Sequence, residues 1–111
     1  MLMSKRLEVF RRKVEENPKN PLFRFSFGQA LFEDENFEEA EKQFFSCLKD
    51  REDWMMALML RGRCLIELDR VEEAKQSLRD AVLAARNQNH EDPEQEAMEL
   101  LQRLEDVDSS D

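Results

Sequence analysis

The sequence predicts an all-α chain, a TPR-like α-solenoid in the sense of stacked antiparallel helical hairpins with about six helices, and three observations carry that prediction. Leu, Ala, Glu, Lys, Arg and Gln outnumber the β-branched residues, and Gly occurs only 2 times and Pro only 3 times in 111 residues, which is helix-former composition. Apolar residues recur at spacings of three and four in successive stretches. Gly28 and Gly62 lie 34 residues apart, and at the same offset Leu31 falls on Leu65, Glu38-Glu39-Ala40 on Glu72-Glu73-Ala74, and Phe44 on Leu78. A period of this length marks a unit that cannot bury its apolar face alone and stacks on its neighbours.

The first helix is expected over 4–16, where Leu7, Phe10 and Val14 form one apolar stripe and most of the charges face away. Asn17-Pro18 ends it, because proline has no amide hydrogen and pushes the preceding residue out of the helical region. Asn20 is placed as the cap of a second helix over 21–34, with Pro21 tolerated in its first position. Leu22, Phe23, Phe25, Phe27, Ala30, Leu31 and Phe32 make this helix apolar around most of its circumference, so it should be covered on more than one side.

Asn36 and Glu39 suggest a capping box for a third helix over 37–49, which buries Phe37, Ala40, Phe44, Cys47 and Leu48. Asp53 is expected to cap a fourth over 54–68, and a turn at Asp69-Arg70 leads into a fifth over 71–87 with Ala74, Leu78, Ala81, Val82 and Ala85 inward. Asp92 as cap and Pro93 in the first position open a sixth over 93–107 carrying Ala97, Leu100, Leu101 and Leu104, and 108–111 are expected to fray. The whole is read as a single domain over 1–107, with one unit at about 21–54, a second at about 55–88, a preceding half-unit helix and a final capping helix.

Gly28 and Ala40 are twelve residues apart, as are Gly62 and Ala74, which puts one small residue on each arm of each hairpin. The expected packing sets glycine against alanine, with Phe44 or Leu78 filling the space one turn further on. With Gly in the first helix, Ala early in the second and a large apolar residue one turn later, the two units resemble tetratricopeptide (TPR) repeats. The pattern departs from the family at Arg24 and Leu58, which replace an early aromatic, and at Phe27 and Arg61, which stand where Leu is usual.

The resemblance implies a non-enzymatic scaffold or adaptor for protein–protein interaction. In the family the first helix of each hairpin lines a concave groove, here Phe25, Gln29, Phe32, Met59, Arg63 and Ile66, with Leu22 and Met56 at the rim. Such a groove suits an apolar peptide or helix of a protein partner. Coverage of Phe25 and Phe32 by the terminal helices as ordinary core is the alternative. A clamp for chaperone C-terminal carboxylates is not expected, since Phe25, Gln29 and Leu60 occupy places where Lys and Asn would be needed. Self-association as a homodimer, through the same face or the N-terminal helix, is the second functional reading.

A net charge of −9 with cations and acids interspersed argues against nucleic acid and anionic membrane as partners. No apolar run reaches the ~20 residues of a membrane span, and Met1-Leu2-Met3-Ser4-Lys5-Arg6 lacks the apolar core of a secretion signal, so a cytoplasmic protein is expected. Cys47 and Cys64 are expected as buried free thiols, His90 as solvent-exposed, and Glu33-Asp34-Glu35 as a solvated helix end. No cofactor, no metal site and no catalytic residues are expected: there is no phosphate loop and no nucleophile with a histidine placed to activate it. Trp54 has two readings, an anchor for a partner or a ring packed on the preceding hairpin near Phe45 or Leu48.

Overall fold

The computed structural model describes residues 4–109 in backbone and 4–107 in side chain; the remaining terminal residues, on which part of the signal-segment and tail expectations fall, lie outside the described residues. Six helices follow one another: α1 (Lys5–Glu16), α2 (Pro21–Glu33), α3 (Phe37–Asp50), α4 (Met55–Glu67), α5 (Val71–Asn87) and α6 (Glu91–Ser109). Each packs chiefly on its chain neighbours, and α2 also touches α4. Consecutive antiparallel packing of this kind makes two layers, with α2, α4 and α6 in one and α1, α3 and α5 in the other. Helix α2 is thus covered on three sides, which accounts for its all-round apolar composition.

The hairpins close on the large residue rather than on the alanine. A Cβ placed on Gly28 would lie 2.8 Å from Phe44 Cε1, and one on Gly62 would lie 2.8 Å from Leu78 Cδ2, with the Ala74 carbonyl oxygen next at 3.7 Å. The expected glycine-to-alanine contact is therefore corrected: the side chain placed one turn further on sits on the glycine itself. Ala40 and Ala74 are still fully buried beside it.

Two kinds of turn alternate. Within each hairpin the first helix ends on a residue with positive φ, Glu35 at 62° and Asp69 at 60°, and two backbone hydrogen bonds close each end: Asn36 N–H to the Leu31 carbonyl with Glu35 N–H to Phe32, and Arg70 N–H to Leu65 with Asp69 N–H to Ile66. Asn89 at 59° ends α5 in the same way. Between hairpins, Asn20 N–H bonds the Asn17 carbonyl and Trp54 N–H bonds that of Arg51, without positive φ.

Several caps differ from expectation. Asn20 does accept from Leu22 N–H at 3.0 Å, and Ser4 accepts from Leu7 N–H at 3.2 Å. Asn36 makes no side-chain cap bond, because its backbone is already engaged in closing α2 and Glu39 instead receives Gln43 Nε2 at 3.2 Å. Trp54, not Asp53, stands at the cap of α4, and the Asp53 carbonyl accepts from Gln88 Nε2 at 2.9 Å. Helix α6 starts at Glu91, so Asp92 and Pro93 fall inside its first turn; proline is tolerated there because those amides have no intrahelical partner. It continues to Ser109, past the expected end at 107.

Candidate functional site

The two hairpin turns carry Phe32 and Ile66, 34 residues apart, to equivalent places at the ends of α2 and α4. Helix α6 brings Leu100 and Arg103 beside them, and Phe37 enters from the start of α3. Together with Arg63 and the acids Glu33, Glu35 and Glu67 they line a depression of about 420 Å³. Its floor is apolar and its rim carries both signs of charge. Phe32 and Phe37 meet edge to face at 5.5 Å, which fixes both rings.

The expected groove residues separate into three groups. Phe32, Arg63 and Ile66 line the depression. Phe25 and Met59 belong to the packing: Phe25 stacks on Trp54 at 4.8 Å and meets Phe44 edge-on at 5.6 Å, while Met59 is 1% exposed and packs in one cluster with Ala97, Leu100, Leu101 and Leu104 of α6. Trp54 thereby packs on the preceding hairpin through Phe25, rather than through Phe45. Gln29 is half-buried, and Leu22 and Met56, one period apart, stand exposed at the rim. Arg63 is held by Glu96 of α6 in an ion pair, so the lone groove cation already has a carboxylate.

On the other side of the molecule lies a charge network that the sequence reading missed. Glu41, only 6% exposed, accepts from Arg61 Nε at 3.3 Å and from Arg70 Nη1 at 2.9 Å. Arg70 also grips Glu73 at 2.7 and 3.0 Å. The hydrogen bonds to Glu73 and Glu41 push the Arg70 pKa up, and the bond from Arg70 holds the Glu73 carboxyl below its usual value. A signal for Glu41 existed in the repeat register: it stands 34 residues after Leu7, which is equally buried.

Nothing in this arrangement activates a nucleophile. Burial pushes the Cys47 thiol up to about 11 and the Cys64 thiol up to about 12, which keeps both protonated at neutral pH. Cys47 Sγ lies 3.7 Å from the Pro21 carbonyl oxygen. Among the described residues no three His, Cys, Asp or Glu side chains are grouped to hold a metal ion, and no helix is long and apolar enough to cross a membrane. His90 is exposed.

A family model described as anaphase-promoting complex, cyclosome, subunit 3 matches residues 3–81. Among solved structures, a Bordetella parapertussis protein has a TM-score of 0.83 at 22% identity, over 98% of this chain and 95% of that one. The first tetratricopeptide domain of Spaghetti, bound to an HSP90 peptide, has a TM-score of 0.79 at 18% identity, over 93% and 77% of the two chains. PcrH from Pseudomonas aeruginosa has a TM-score of 0.81 at 14% identity, over 88% and 75%. No curated protein matches significantly. The fold is that of a tetratricopeptide array.

Proposed function

Because the chain belongs to the family of anaphase-promoting complex, cyclosome, subunit 3, we propose that it is a non-enzymatic adaptor which holds a peptide or helix of a partner protein on the α2–α4–α6 face. The observation that carries this reading is the depression beneath Phe32, Ile66 and Leu100, an apolar floor framed by Arg63 and Arg103. An apolar floor takes a partner's hydrophobic side chain, and the charged frame sets its direction. The Spaghetti domain holds its HSP90 peptide on a fold of this kind. In the present chain Phe25 and Gln29 stand where a carboxylate clamp needs Lys and Asn, which favours an internal apolar segment over a chaperone tail.

The proposed site is narrower than the full inner row. Phe25 and Met59 support it from within, whereas Phe32, Arg63 and Ile66 meet the ligand along with Leu100 and Arg103. Affinity capture from a cell extract, with the captured proteins identified by mass spectrometry, tests this. Ile66→Glu should lose a partner held by the wild-type chain while helicity by circular dichroism is unchanged. An identical set of captured proteins would overturn the reading. Light scattering over a range of concentrations decides the self-association alternative, which requires a dimer that Leu22→Glu or Met56→Glu disrupts.

A further inference from the structure

Helices α3 and α5 each pack chiefly on α4, and a crevice of about 470 Å³ is lined between them. One wall is a single face of α3: Lys42, Phe45, Ser46 and Lys49 follow at spacings of three, one and three. Arg61 rises from α4, and Arg70 with Glu73 forms the opposite wall. The Phe45 ring is 39% exposed and lies between two cations, with Lys49 Nζ at 5.0 Å and Arg61 Cζ at 4.9 Å from its centroid. These contacts hold the ring in place before any ligand arrives.

The charge of this crevice is opposite to that of the molecule. Lys42, Lys49, Arg61 and Arg70 face only Glu41 and Glu73 there, a local excess of positive charge in a chain of net charge −9. Arg61 and Arg70 are already bound to those two carboxylates. Among the described residues Lys42 and Lys49 have no carboxylate in ion-pair reach, so the available charge is theirs. Seven residues apart on one helix, they stand roughly 10 Å from each other with Phe45 between them.

We propose that this crevice is a second docking site, separate from the α2–α4–α6 face, and that its occupant is an amphipathic helix of a partner carrying acid, large apolar residue and acid at i, i+3 and i+7. The two carboxylates meet Lys42 and Lys49, and the apolar side chain covers the Phe45 ring. A polyphosphate would satisfy the lysines but leave the ring uncovered, and the rest of the chain would repel it.

The probe is an acetylated, amidated alanine-based helix bearing Glu, Leu and Glu at those positions, titrated into the isotopically labelled full chain and followed by amide chemical shifts. Saturable shifts are expected at Lys42, Phe45, Ser46 and Lys49. Phe45→Ala, and separately Lys42→Glu with Lys49→Glu, should weaken binding at least tenfold with helicity retained. Ile66→Glu should leave it unchanged, which keeps this site distinguishable from the proposed adaptor face. Equal binding of the same peptide with Lys in place of Glu would overturn the proposal, as would shifts centred on Phe32 and Ile66. Concentration-dependent broadening at Phe45 without peptide would name a second copy as the occupant and overturn it equally.

Discussion

The junction of α1 with α2 and the junction of α3 with α4 occupy the same places in the 34-residue register and solve the same packing problem with different chemistry. In the first, Leu7 is buried and Arg11 of α1 lies over the Phe27 ring of α2, Cζ to centroid 5.4 Å. In the second, Glu41 is buried where Leu7 was, and the cation and ring have exchanged helices: Arg61 of α4 lies over Phe45 of α3 at 4.9 Å. The repeat therefore fixes backbone positions, and a junction tolerates either an apolar plug or a charge provided the charge is fully paired. The apolar solution leaves no polar crevice, while the charged one creates the opening between α3 and α5.

The strongest break of this comparison is Glu41→Leu alone. It strands Arg61, whose side chain is only 19% exposed, and removes one partner of Arg70, so urea denaturation should show a loss of about 2–3 kcal/mol. Adding Arg61→Phe copies the first junction into the second and should return stability to within about 1 kcal/mol of wild type. Purely additive losses in this double-mutant cycle would refute the equivalence of the two junctions.

Next in size come the hairpin glycines. Replacing a helical glycine by alanine ordinarily gains about 1 kcal/mol. Here Gly28→Ala should lose about 2 kcal/mol, because three ring carbons of Phe44 stand within 3.1 Å of the new Cβ and that ring is wedged against Phe25. Gly62→Ala should lose only about 1 kcal/mol, since Leu78 can rotate its branch away. Equal thermal shifts for the two would show that ring and branch yield alike.

Smaller still are the turns. Glu35→Gly and Asp69→Gly should each raise stability by about 0.5 kcal/mol, as both residues sit at positive φ where a side chain is strained; the same change at Asn89 should do less, asparagine being the better tolerated residue there. The smallest effect is the pH dependence carried by Glu73. Its folded pKa is lowered, so the contact with Arg70 contributes above the ordinary carboxylate value of about 4.5 and is lost as pH falls below it. Glu73→Gln should make the acid limb of a stability profile slightly shallower and leave the alkaline limb alone.

The fold was legible in the residues because helical propensity, the proline and asparagine boundaries and the 34-residue identity pairs all point to one architecture. The site was legible only in part. Phe32, Arg63 and Ile66 emerge from periodicity within α2 and α4, but periodicity along one helix does not tell which apolar residues a neighbouring helix will cover. Phe25 faces Trp54 across a junction, and Met59 is covered by residues of α6, so both contacts depend on how helices stack. Leu100 and Arg103 were hidden for the same reason. Glu41 was hidden by its type, since a lone carboxylate reads as surface until two arginines from other helices are seen to meet it.

Helix α4 begins at residue 55 and α6 at residue 91, two positions later than the 34-residue register would place it. From that joint onward the molecule is out of phase with itself. Side chains of α6 are rotated relative to the rows begun by α2 and α4, so any code written in equivalent positions has only two letters, Phe32 and Ile66, before the wall changes grammar. An engineer grafting another hairpin beyond Asn87 would first have to remove two residues to restore the rhythm.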